Sequence, residues 1–79
     1  MKEAFVLINC ETGSEDMVVD ELSKVDNVLE VQKLMGVYDI IAKLEGDSDS
    51  DIKRLIASRI QKLDPVNSVV SLAAGQVHR

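Results

Sequence analysis

A shift of 38 residues lays the second half of this chain on the first. It carries Met17 onto Leu55, Val18 onto Ile56, Leu22 onto Ile60, Lys24 onto Lys62, Val25 onto Leu63, Asp26 onto Asp64, Val28 onto Val66 and Val31 onto Val69. An amphipathic helix alone would match some of these positions. The register also persists through a turn and into the next apolar run, so the repeating unit is larger than one helix.

Each half reads as strand, helix, strand. Residues Lys2 to Cys10 form a short apolar run rich in β-formers, with Ala4, Val6 and Ile8 on one face and Phe5 and Leu7 on the other. Glu11 to Ser14 break the run, and Ser14 before Glu15 and Asp16 reads as a helix N-cap with acids in the first turn. Met17, Val18, Leu22 and Val25 then recur at helical spacing, opposite Glu15, Asp20 and Lys24. Val28 to Met35 and Tyr38 to Leu44 alternate as strands about Gly36, the pattern of an antiparallel hairpin. After an acid-rich connection, Ile52, Leu55, Ile56, Ile60 and Leu63 give a second helical stripe, which Asp64-Pro65 stops. Val66 to Val77 supplies the last strand, and His78-Arg79 a polar end.

Two such units joined by right-handed crossovers predict an α+β, ferredoxin-like βαββαβ fold, a four-stranded antiparallel sheet with two helices on one face. Apolar strand residues of the other parity, among Phe5, Leu7, Leu29 or Val28, Ile41 and Val69 or Val70, are then left on an uncovered face. Covering ~300 Å² of it at ~25 cal/mol per Å² is worth several kcal/mol before association costs. Dimerisation through the sheets is the expected remedy, all the more because 79 residues make one small domain with a thin core.

Composition narrows the function. The formal charge is −5 and the nine basic residues are scattered among fourteen acidic ones, which argues against direct nucleic-acid binding. A lone cysteine, Cys10, forms no internal disulfide or two-cysteine motif and suits a reducing compartment. No apolar run reaches the ~20 residues of a membrane span, and a cytoplasmic location is expected, with no membrane partner. Asp47, Asp49 and Asp51 alternate like calcium ligands, but the glycine and terminal glutamate of a calcium loop are not in their places. No metal site and no cofactor are expected. The first strand-to-helix loop, Cys10 to Ser14, lacks the arginine that acylphosphatase-like chemistry uses and the second cysteine of heavy-metal carriers. With no base beside a nucleophile, the chain is expected not to be an enzyme and has no catalytic residue to name.

The stretch Leu34-Met35-Gly36-Val37-Tyr38-Asp39-Ile40-Ile41 carries the candidate chemistry. Adjacent strand residues point to opposite faces, so Tyr38 and Asp39 cannot both be core. One reading is a half-buried tyrosine beside a solvated turn carboxylate. The other is a corner that holds a small polar ligand on backbone N–H groups freed near a glycine.

Those residues also resemble a known family. Val28, Gly36, Tyr38, Asp39, Ile40 and Ile41, in the order V-x7-G-x-Y-D-I-I, followed by an acidic connection, a helix and Asp64-Pro65-Val66, resemble the effector-binding domain of Lrp/AsnC transcriptional regulators, also called the RAM domain. The resemblance spans essentially the whole chain, residues 1–79, and implies a single such domain without the family's helix-turn-helix part. It implies a homo-oligomer, a dimer extending to tetramer or octamer, that binds a small effector, commonly an amino acid, between subunits. By position, Met35, Gly36, Val37, Tyr38 and Asp39 would line that cleft, the backbone near Gly36 meeting the carboxylate and Asp39 the ammonium group. Ser71 would add a hydroxyl, where Val69 lacks one that the family often has. A module of this kind would modulate transcription through full-length Lrp/AsnC regulators as partners. Two other readings stand beside it: a structural or partner-binding assembly module without effector, and an ACT-like amino-acid sensor, whose ligand would lie near Gly13 instead of Gly36.

Overall fold

The computed structural model describes residues 2–73, and the side chain of residue 73 is left aside; the predicted strand beyond residue 73 and the His78-Arg79 end lie outside the described residues. In chain order the elements are β1 (Lys2–Cys10), α1 (Glu15–Ser23), β2 (Val28–Lys33), β3 (Ile40–Gly46), α2 (Asp49–Leu55), a π-helical turn (Ile56–Ile60) and β4 (Val66–Ala73). The sheet order is β2-β3-β1-β4, every neighbouring pair antiparallel. This is the ferredoxin-like α+β arrangement expected from the repeat.

Parity builds the core. Ala4, Val6, Ile8 and Cys10 of β1 and Ile40, Ala42 and Leu44 of β3 are buried, together with Val18 and Leu22 of α1 and Ile52, Ile56 and Ile60 of the second helical segment. Seven of the larger ones, Val6, Ile8, Val18, Leu22, Ile40, Leu44 and Ile60, are essentially sealed from water. At roughly 1.5–3 kcal/mol for each fully buried aliphatic side chain, this cluster dominates stability. Both helices share the side of the sheet to which the even-numbered residues of β1 and β3 point.

The repeat holds even in its irregularities. β2 carries an extra residue, Leu29, between the Val28–Leu44 and Glu30–Lys43 pairs. β4 carries one at the equivalent place, Asn67, between Val66–Cys10 and Ser68–Asn9. Each bulge reverses which residues of its strand face the helices. Val28, Val31, Val66, Val69 and Ser71 therefore stand opposite core-side residues, and Val70 and Leu72 stand opposite Leu7 and Phe5 on the other face.

Several boundaries and orientations differ from expectation. β2 stops at Lys33 instead of Met35 and β3 starts at Ile40 instead of Tyr38. Residues 34–39 form the connection, closed by the Leu34 N–H donating to the Asp39 carbonyl at 2.8 Å. Met17 leaves the predicted stripe and is 47% exposed, because Val18 and Leu22 complete the buried face of so short a helix and Val25 is buried just past its end. Ser14 sits at the N-cap without a side-chain capping bond; Glu15 Oε1 instead accepts from the Gly13 N–H at 3.0 Å. The second helix is truly capped, the Ser48 hydroxyl accepting from the Asp51 N–H at 3.2 Å. It then widens into a π turn before Pro65 is reached, with the Gln61 N–H donating to the Ile56 carbonyl at 2.9 Å.

Candidate functional site: a glycine corner, a depression beside an edge strand, and an uncovered face

The corner is held to the sheet by Asp39. Regular β1–β3 pairing ends at Ile8–Ile40. Beyond it the Asp39 N–H donates to the Ile8 carbonyl at 3.0 Å, and the Cys10 N–H donates to Asp39 Oδ2 at 2.9 Å. The carboxylate thus stands in for the next backbone acceptor that β3 does not provide. Tyr38 is half-buried, as is Asp39, whereas Met35 and Val37 are 101% and 83% exposed. Gly36 has φ +144°, a conformation open mainly to glycine, with clear space where a Cβ would stand. The tip Met35-Gly36-Val37 therefore projects two apolar side chains into solvent.

Cys10 lies beneath this corner. Burial first, and then the charges of Asp39, Glu15 and Glu11, push its thiol above the ordinary value of 9.0. A thiol so placed holds its proton at neutral pH and packs as a small apolar group.

Ser71 does not join the corner within one chain. β1 lies between β3 and β4, and Ser71 stands on the helix side of the edge strand β4, opposite Val6. There it lines a depression of about 250 Å³ with Lys53, Ile56, Gln61 and Val69. The structure thus brings Met35, Gly36, Val37, Tyr38 and Asp39 together and places Ser71 apart from them. Lys53 and Gln61 were not legible as neighbours of Ser71, since the bulge at Asn67 decides which side of β4 that serine takes.

A larger depression of about 430 Å³ lies at the far end of β3 from the corner. Asn27, Glu45, Gly46, Asp47, Asp51, Arg54, Leu55 and Ser58 line it. Its one cation, Arg54, stands 3.6 Å from Asp51 Oδ1, so the charges of this depression are partly matched from within.

The sheet face away from the helices carries a contiguous apolar block. Across it run the rows Ile41–Leu7–Val70 and Lys43–Phe5–Leu72. Val70 and Leu72 are 40% and 41% exposed, and Phe5, Leu7 and Ile41 are half-buried. Polar groups edge the block: Lys43 Nζ lies 3.6 Å from Glu3 Oε1 and 6.0 Å from the centre of the Phe5 ring, and Glu30 and Gln32 flank it on β2. An apolar centre within a polar rim is the anatomy of an interface. Among the described residues, no helix is long and apolar enough to cross a membrane.

The chain is a two-layer βαββαβ domain with one helix-covered and one bare apolar face, a projecting glycine corner and surface depressions. The chain belongs to the Lrp/AsnC ligand-binding domain family, whose model matches residues 3–76. That family serves transcription regulators as a regulatory ligand-binding domain. The crystal structure of FFRP-DM1 superposes with a TM-score of 0.90 at 30% identity, over 94% of this chain and 99% of that one. AsnC of E. coli superposes at 0.87 with 20% identity, over 99% of this chain and 52% of that one. The transcriptional regulator NMB0573 of Neisseria meningitidis, solved as an L-Met complex, gives 0.83 at 14% identity, over 91% of this chain and 48% of that one. No curated protein sequence matches significantly.

Proposed function

We propose that this chain is a non-enzymatic regulatory module that binds a small effector, an amino acid, at a seam between copies of itself. What carries the reading is the match of the family's ligand-binding domain to residues 3–76, nearly the whole chain. The geometry is consistent with it. The depression at Ser71 is open to solvent on one side. A second copy that brings its Met35–Asp39 corner over that depression reunites the residues that one chain keeps apart. The bare face, with Phe5, Leu7, Ile41, Val70 and Leu72, is the surface through which two sheets pair. Effector binding at a shared seam then favours the assembly that completes it, to the extent of its differential affinity. Full-length Lrp/AsnC regulators are the natural larger partners, because their own ligand-binding domains offer the same surfaces. A formal charge of −5 disfavours a direct contact with nucleic acid.

Titration calorimetry with the twenty amino acids, each paired with the mass of the assembly in solution, tests this. Heat of binding with a change in assembly supports it; no heat from any of them ends it. One observation favours the assembly module without effector. Oδ2 of Asp39 is already engaged by the Cys10 N–H, which leaves only part of the carboxylate for an ammonium group. Assembly with full-length regulators in effector-free buffer, combined with no binding heat, would select that reading.

A further inference from the structure

We propose that the helix layer is a second interface, complementary in charge to itself, through which the chain pairs with another copy. The 38-residue shift that lays one half on the other keeps the core of each helix and inverts charge outside it. Val18 and Ile56, and Leu22 and Ile60, are matched and buried. Glu15, however, falls on Lys53, Asp16 on Arg54 and Glu21 on Arg59. Folding needs the first property and not the second. The inversion extends beyond those positions: from Glu11 to Asp26 there are six acids and one lysine, and from Ile52 to Leu63 four basic residues and no acid. Asp49 and Asp51 stay in the first turn of α2, where the helix dipole favours them.

The fold sets the two charges side by side. Lys33 Nζ donates to Asp16 Oδ1 at 2.7 Å, which places α1 over the edge strand β2. Lys53, Ile56 and Gln61 border a depression with Val69 and Ser71, which places the second helical segment over β4, the opposite edge. One half of the layer is thus acidic and the other basic. Pairing within the chain reduces the contrast without removing it. Lys24 and Lys33 are the cations that meet α1, against the carboxylates of Glu15, Asp16, Asp20 and Glu21, and Arg54 stands 3.6 Å from Asp51 Oδ1. Lys53, Arg59 and Lys62 form no ion pair among the described residues.

Two such layers can meet face to face in two ways. Turned about an axis along the helices, α1 of each copy lies on the second helical segment of the other, acid on base twice over. Turned about an axis across them, α1 lies on α1 and like charges meet, so electrostatics selects the first. Met17, 47% exposed among the acids of α1, and Ala57, exposed on the second segment, leave an uncharged middle to such a contact. An acidic partner or an anionic surface would use only one half of the layer, whereas a second copy uses both. The layer lies opposite the bare sheet face, so this contact is separate from sheet pairing and needs no effector.

Exposed ion pairs are weak singly and are screened by salt, which supplies the first arm of the test. Sedimentation of the whole chain should show a larger mass at ~0.01 M salt, where the screening length is ~30 Å, than at ~1 M, where it is ~3 Å. At the higher salt, contacts through the sheet face are read alone. The second arm reverses one half at a time. Asp16→Lys with Asp20→Lys makes both halves basic, and Lys53→Glu with Arg59→Glu makes both acidic. All four residues are exposed, so circular dichroism should show the parent's fold. Each variant alone should lose the extra low-salt mass, its association constant falling by about tenfold or more, and an equal mixture of the two should regain it. The milder Lys53→Gln with Arg59→Gln should weaken low-salt association severalfold. A parent mass that ignores salt, variants that associate as the parent does, or a mixture of folded variants that stays apart overturns the inference. Binding of polyglutamate by a parent that does not pair with itself would give the basic half to an acidic partner and overturn it as well.

Discussion

Replacing Asp39 separates what its side chain does for the fold from what its charge does to its surroundings. In Asp39→Ala the Cys10 N–H, partly buried and bonded at 2.9 Å to Oδ2, loses its acceptor. Beyond Ile8–Ile40 β3 offers no further pair to β1, so no backbone carbonyl of that ladder takes its place. A hydrogen bond to a charged group contributes ~1.5–3 kcal/mol, and a domain of this size moves by ~4–8 °C per kcal/mol, which puts the fall in melting midpoint at roughly 6–24 °C. Asp39→Asn keeps a carbonyl oxygen where the carboxylate was and should lose about half as much. Thermal melts at one fixed protein concentration are the assay, because association shifts the midpoint. The charge has its own readout. Asp39 is the second cause, after burial, of the raised Cys10 thiol, so Asp39→Asn should let that thiol ionise at lower pH, as seen in the pH dependence of its alkylation. A midpoint for Asp39→Ala within roughly 2 °C of the parent, less than half a kcal/mol by that scale, would refute the reasoning that this carboxylate finishes the sheet.

Other perturbations follow from single contacts. Leu7→Asp puts a charge at the centre of the bare apolar block, between Ile41 and Val70, and should leave a folded monomer by sedimentation if two sheets pair there. Ser48→Ala removes the acceptor of the Asp51 N–H at the start of α2 and should cost about 1 kcal/mol in urea unfolding. Gly36→Ala meets no atom within 4 Å but forces a side chain to φ +144°, so a loss of about 1–3 kcal/mol is expected from backbone strain alone. Cys10 gives the pH dependence. Its folded thiol holds its proton above 9.0, where the unfolded thiol releases it. The native state then binds more protons than the unfolded one, and stability falls as pH rises through that value. Urea midpoints on either side of it should show this slope in the parent and lose it in Cys10→Ala.

The repeat made the architecture legible, and the bulges explain where legibility ended. Counting in twos from Val66 would put Val66, Ser68 and Val70 on one face. The extra residue Asn67 moves Val69 and Ser71 to the helix side instead. The same event at Leu29 decides between Val28 and Leu29 in the first half. No local property of Asn67 or Leu29 announces a bulge, since each arises from how its strand pairs with a neighbour far away in sequence. The helical stripes are almost wholly legible because burial there follows a fixed period. Val18, Leu22, Ile56 and Ile60 are buried, and only Met17, just off the buried line, went astray. The corner was visible as a glycine between two alternating runs. The bond that anchors it joins residues 29 positions apart, beyond the reach of any pattern.

If an effector needs both the corner and Ser71, as proposed, their separation within one chain makes binding depend on assembly. A site complete within one chain would bind its ligand whatever the state of assembly, and ligand would then have no differential affinity with which to regulate anything. Here β1 stands between the residues, Met35 and Val37 project without cover, and the depression at Ser71 faces outward. A ligand that needs both halves binds the associated state better than the free one, and linkage requires that association tighten ligand binding by the same factor. The bare sheet face and the depression at Ser71 lie on opposite sides of the sheet, so a change confined to the first tests whether assembly there is needed for binding. Leu7→Asp should abolish effector binding at protein concentrations where the parent binds, although Leu7 lies on the opposite face of the sheet from Lys53 and Ser71. Undiminished affinity in that monomer would mean that one chain suffices for the site.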